Sequence, residues 1–138
     1  MKKWVLGALL LMILLFAAAS VSAQGASVVQ AQLQPVNDSG ISGFVLLRQT
    51  PDAEGPKINV IAFGLQSGQN YVSLYYDNHT CDLEPYSAED VIGGIYTANP
   101  AGVGVTHGEA DDDLDEVNSV SVRNADDFTL LACADVHP

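Results

Sequence analysis

Three histidines, His79, His107 and His137, are the side chains best suited to hold a transition metal or to move a proton near neutral pH. They lie 28 and 30 residues apart, and no helical or strand spacing pairs any two of them. A second candidate is the acidic run Glu109-Ala110-Asp111-Asp112-Asp113-Leu114-Asp115-Glu116. Asp111, Asp113 and Asp115 stand at i, i+2 and i+4, as in the first half of an EF-hand calcium loop. The pattern then fails. Glu116 stands where glycine must make the turn, and Val122 where a bidentate glutamate would close the cage. The run is expected to be a solvated loop, with calcium held by Asp111, Asp113 and Asp115 as the alternative. Hydrolytic chemistry has no support. Serines are plentiful, but there is no G-x-S-x-G and no histidine in a triad context. Tyr71, Tyr75, Tyr76, Tyr86 and Tyr96 form an aromatic group suited to a binding surface or to packing with a polar rim.

The elements that must position these residues are strands. Alternation and β-branched or aromatic enrichment mark Ser27–Leu33, Ile41–Gln49, Ile58–Phe63, Tyr71–Tyr76, Val91–Tyr96, Gly102–Thr106, Val117–Val122 and Phe128–Cys133. Turn residues separate nearly all of them, among them Asn37-Asp38-Ser39-Gly40, Asn99-Pro100-Ala101-Gly102 and Asn124-Ala125-Asp126-Asp127. Two longer connections break the rhythm, Asn78–Asp90 and His107–Glu116. Eight short strands at regular spacing predict an all-β fold, an eight-stranded antiparallel Greek-key barrel or sandwich. In Ile58–Phe63 one face is Ile58, Val60 and Ala62; the other carries Asn59, Ile61 and Phe63 and is unusually apolar. That second face is expected to pack under a loop or against a partner.

The first 23 residues have a different character. Met1-Lys2-Lys3 is a positive start, Trp4–Ala19 an almost unbroken apolar run, and Ser20-Val21-Ser22-Ala23 a small-residue stretch before Gln24. This is the layout of a secretory signal peptide. The run is shorter than the roughly 20 residues that span a bilayer, so no stable membrane insertion is expected after cleavage. Residues 24–138 are then one domain in a secreted or periplasmic setting. An oxidising compartment favours a disulfide between Cys81 and Cys133. Lys2 and Lys3 go with the signal, which leaves 17 acids against Arg48, Lys57 and Arg123, a net charge of −14. Such a chain does not bind nucleic acid or an anionic membrane through a general electrostatic field. The sequence names no partner.

The order of features resembles the Cu/Zn superoxide dismutase family, an eight-stranded Greek-key barrel. Ile41-Ser42-Gly43-Phe44-Val45-Leu46-Leu47 is similar to its early G-x-V-x-F strand. Ile58–Leu65 with Gln66-Ser67-Gly68 resembles its V-x-G-L-x-P-G strand and turn. Asn70–Tyr76, followed by Cys81, stands where the family has H-G-F-H-V-H-E and a loop cysteine. Leu130-Leu131-Ala132-Cys133 is similar to its R-L-A-C signature. On this resemblance Ser73 and Tyr75 occupy the places of two copper histidines, and Arg123 the place of a third. Asp82–Gly94 occupies the place of the zinc loop without a histidine, and Leu130 that of the substrate-guiding arginine. The resemblance therefore implies a superoxide-dismutase-like barrel that has lost both metal sites, with no catalytic residues, no cofactor, and a binding or structural role. A divergent copper/zinc superoxide dismutase with relocated ligands is the first alternative. A calcium-stabilised extracellular interaction domain is the second.

Overall fold

A computed structural model describes residues 25–138. The expected signal segment, residues 1–23, lies outside the described residues. Among the described residues nine strands form the fold: β1 (Ser27–Pro35), β2 (Ser42–Gln49), β3 (Lys57–Phe63), β4 (Asn70–Val72), β5 (Tyr75–Tyr76), β6 (Tyr96–Thr97), β7 (Gly104–Glu109), β8 (Ser119–Asn124) and β9 (Leu130–Asp135). A 3₁₀ turn, Ala88–Asp90, interrupts the long connection after β5. Every pairing is antiparallel, in the order β6-β4-β8-β9-β1-β2-β3-β7, with β5 beside β4 on β8. The eight-stranded path curls into a nearly closed, barrel-like sheet. The remaining seam, between β6 and β7, is filled by packing. A Cβ on Gly104 would stand 2.8 Å from the Tyr96 ring, so glycine there lets β7 approach it.

Alternation builds the interior. Ala31 and Leu33 of β1, Val45 and Leu47 of β2, and Ile58, Val60 and Ala62 of β3 are buried in one core with Val120 and Val122 of β8 and Ala132 and Ala134 of β9. The opposite face of β3 is apolar as expected, but no loop covers it among the described residues. Phe63 is 40% exposed, Val105 of β7 is 56% exposed, and the Phe44 and Phe63 rings stand 6.2 Å apart.

The expected strands fail where backbone geometry overrides side-chain pattern. Tyr71–Tyr76 is not one strand. It breaks at Ser73, whose carbonyl accepts the Ile92 N–H, and Leu74 makes only an isolated bridge to Val91. Val91–Tyr96 is not a strand either, because Gly93 and Gly94 take left-handed φ values of 69° and 84° and bend the chain. His107–Glu109 belong to β7 rather than to a connection. The last two strands begin two residues later than the pattern suggested, at Ser119 and Leu130.

Candidate functional site

A cleft opens beside β5. The chain leaves Tyr76 through a loop that the Asn78 side chain folds back on itself. Asn78 accepts the N–H groups of Thr80 and Asp82 at 3.1 and 3.0 Å and donates to the Asp82 carbonyl and the Glu84 carboxylate at 2.9 and 3.0 Å. Ser87 then caps the 3₁₀ turn, accepting the Glu89 N–H, while the Asp90 carboxylate accepts the Ser87 N–H at 2.7 Å. This folding brings Glu84 and Asp90 back towards Asp77 and Asp112. The result is a cavity of about 180 Å³ lined by those four carboxylates, by Tyr75, Tyr76 and Tyr86, and by Pro85.

The rings are held from outside the cleft. Tyr75 accepts the Asp111 N–H at 3.2 Å. The Tyr76 hydroxyl is bonded to Ser121 at 2.8 Å and accepts from Arg123 at 2.9 Å. Tyr86 stacks on Phe128 at 5.6 Å. No basic side chain lines the cavity, and the only ion pair among the described residues, His79–Asp135, lies outside its lining. Partial burial, and then the charges of Glu116, Asp90, Asp111 and Asp77, hold the Asp112 carboxyl above its usual range. Burial is the first cause that raises the Tyr75 phenol; the charges of Asp112, Asp90 and Asp111 raise it further, against the Asp111 N–H. A carboxyl–carboxyl hydrogen bond with Asp111, and then the charge of Asp111, raise Glu89. The acids of two loops thus share one cleft with no basic side chain among its lining residues, and the Arg123 guanidinium stands behind one wall, 5.9 Å from the centre of the Tyr76 ring.

The residues singled out from the sequence are not gathered into one site. Ser73 is fully buried on the core side, bonded to the Tyr96 hydroxyl at 2.9 Å. Desolvation pushes the Tyr96 phenol up to about 12. Tyr75 faces the same core. Arg123 lies on the other side of the sheet, beside Val72 and Tyr76, under the loop that carries Cys81. One sheet therefore separates Arg123 from Ser73 and Tyr75. The histidines are also apart. His79 meets Asp135 at 2.8 Å, His107 is exposed on β7, and His137 reaches the Leu114 carbonyl at 2.9 Å. Asp113 accepts from Gln49, Asp111 meets Glu89, and Asp115 is exposed. No group of three or more His, Cys, Asp or Glu side chains able to hold a metal occurs among the described residues. Cys81 and Cys133 are joined in a disulfide.

The cleft itself was missed in the sequence. Its signal was available in the interleaving of Tyr75-Tyr76-Asp77 with Glu84-Pro85-Tyr86 and Asp90. Only the loop closure by Asn78, and the return of Asp112 from a distant connection, turn that interleaving into a cavity. Compared with known protein families and with curated proteins, the chain matches none.

Proposed function

We propose that residues 24–138 are an exported, non-catalytic domain of the superoxide-dismutase-like Greek-key type, working by binding rather than by redox turnover. The observation that carries this reading is the fate of the three positions the resemblance assigns to copper. Ser73 and Arg123 spend their polar atoms on hydrogen bonds inside the domain, Tyr75 accepts one from the backbone, and the three are divided between two faces of one sheet. A redox copper centre needs several imidazole or soft ligands converging on one point. The antiparallel barrel-like sheet and the disulfide between the loop after β5 and the last strand also support the reading. The disulfide is in keeping with an oxidising, extracytoplasmic compartment.

Copper and zinc analysis of the purified protein, with a superoxide dismutation assay on the same sample, tests it. The expected result is sub-stoichiometric metal and no dismutation above the buffer rate. Stoichiometric copper with dismutase activity overturns it.

A further inference from the structure

We propose that the β2–β3 hairpin holds a small divalent oxyanion, a phosphate or sulfate group, between Arg48 and Lys57. The site uses none of the residues that carry the reading above, and it stands or falls without that reading.

The first observation is a charge placement that works against the fold. Residues 25–138 hold 17 acids and three cations, and one of the cations, Arg123, is buried under the Cys81 loop. The other two, Arg48 and Lys57, are not spread among the acids. They stand directly opposite one another on neighbouring strands, both exposed. Like charges in that position destabilise a sheet. Acids are close at hand: Asp52 and Glu54 belong to the same hairpin, and Glu109 is opposite Lys57 on β7. None of them pairs with either cation, because the one ion pair among the described residues is His79–Asp135. A local rule broken without compensation inside the fold is the mark of a functional position.

The second observation is a cavity at that same pair. Arg48 and Lys57 line about 190 Å³ together with Thr50 and Ala53, and no carboxylate lines it. Pockets for drug-sized ligands run from about 300 to 1,000 Å³, so this one suits a small ion. The hairpin around it is fixed in place. The Ala53 N–H donates to the Thr50 carbonyl at 3.1 Å and closes the turn. Gly55 lies so close to the next connection that a Cβ there would collide with the Ala110 carbonyl oxygen, and the Pro56 carbonyl accepts the Ala110 N–H at 3.0 Å. Between Arg48 and Thr50, the Gln49 side chain accepts the Leu114 N–H at 2.9 Å. The chain that carries the two cations is therefore set before a ligand arrives, which lowers the cost of binding.

The charges choose the ligand. A divalent group balances both cations, which a single carboxylate does not. The planar Arg48 fork matches two oxygens of a phosphate or sulfate, and the Lys57 ammonium adds a point charge. The strongly acidic remainder of the surface opposes a long polyanion far more than one small group. Val28, 56% exposed, is the β1 neighbour of Arg48, so an ester with an apolar arm has a surface to rest on.

The test follows the backbone amide resonances of Arg48, Thr50, Ala53 and Lys57 in the full chain. Sodium chloride is exchanged at constant ionic strength for sodium sulfate, sodium phosphate or phenyl phosphate. Saturable shifts confined to the hairpin are expected with all three. Arg48→Gln and Lys57→Gln should each weaken binding by about tenfold, the range for one charge-assisted hydrogen bond at an exposed site. Both side chains are exposed, so neither replacement disturbs the core. Melting temperature gives a second readout. Sulfate raises it in any protein by exclusion from the surface, so the expected result is a larger rise in the parent than in either variant. Phenyl phosphate binding well above phosphate assigns an organic ester; equal affinities assign the free ion. Shifts that follow ionic strength alone, variants that bind as tightly as the parent, or equal rises in melting temperature overturn the proposal. Copper-loaded, active protein overturns the non-catalytic reading and leaves this site standing.

Discussion

Arg123 is buried, at 6% exposure, and no carboxylate neutralises it. Its guanidinium instead donates to the Tyr76 hydroxyl at 2.9 Å and to the Phe128 and Cys81 carbonyls at 2.7 Å each. Both carbonyls belong to residues held in left-handed backbone conformations, φ 62° at Phe128 and φ 56° at Cys81. Each such non-glycine corner costs about 1–3 kcal/mol, and it persists only where its surroundings fix it. The fork of Arg123 is one such fixture, tying the loop after β5 to the turn before β9. Arg123→Met would keep the aliphatic stem and leave both carbonyls without that donor. A loss of about 2–4 kcal/mol is expected, since an unsatisfied buried carbonyl costs about 1–3 kcal/mol and the Phe128 carbonyl, being only partly buried, costs less. Calorimetry should show the melting temperature falling by roughly 10–20 °C, and Arg123→Lys should recover only part of it, since an ammonium lacks the planar fork. An unchanged melting temperature in Arg123→Met removes the fork from the account. From the sequence Arg123 reads only as a cation standing in the place of a ligand. What it does depends on Tyr76 and Cys81, 47 and 42 residues away, and strand periodicity carries no information about such partners.

At the scale of elements, legibility followed the hairpins. β1, β2 and β3 were readable almost to the residue because each alternates cleanly and meets its neighbour through Asn, Gly and Pro turns. The region from β4 to β6 was not. There the backbone is set by the Gly93-Gly94 bend and by the Ser73 and Leu74 carbonyls, which accept the Ile92 and Ser121 N–H groups from far along the chain. The long connection in that region is held to the barrel by the Cys81–Cys133 disulfide, across 52 residues of sequence. Loop-closure arithmetic gives such a link about 4 kcal/mol, drawn from the unfolded state. Urea unfolding with and without a reducing agent should therefore differ by about 3–4 kcal/mol, with β1–β3 still folded at low urea in the reduced protein. Coincident unfolding curves would show that the loop is held by Arg123 and Asn78 alone.

For the whole molecule, the acidic balance decides how stability moves with pH. The 17 acids meet only three cations in residues 25–138, one of them buried. Asp112, at the acidic end, carries a carboxyl raised by burial and by neighbouring charges, and Glu89 one raised by its bond to Asp111. A carboxyl whose folded value lies above its unfolded value binds its proton more tightly in the folded state. Stability from these two groups therefore increases as pH falls towards their folded values, because protonation removes the desolvation cost of the Asp112 charge, favours the Glu89–Asp111 hydrogen bond and discharges the repulsion from their neighbours. Asp127 works in the other direction. Hydrogen bonds from Thr129 lower its carboxyl below the usual 3.8, so its contribution is present above that value and is lost as pH falls through the folded value. The two signs together place the stability maximum on the acid side of neutrality, below the raised Asp112 and Glu89 values and above the lowered Asp127 value. Melting temperatures across pH 3–8 at constant low ionic strength should rise from pH 7.5 to that maximum and fall below it. At pH 7.5, added salt should raise the melting temperature by screening the same charges. A steady decline from pH 7.5 downward, with no response to salt, would mean that the crowded acids near Asp112 do not repel one another in the folded protein.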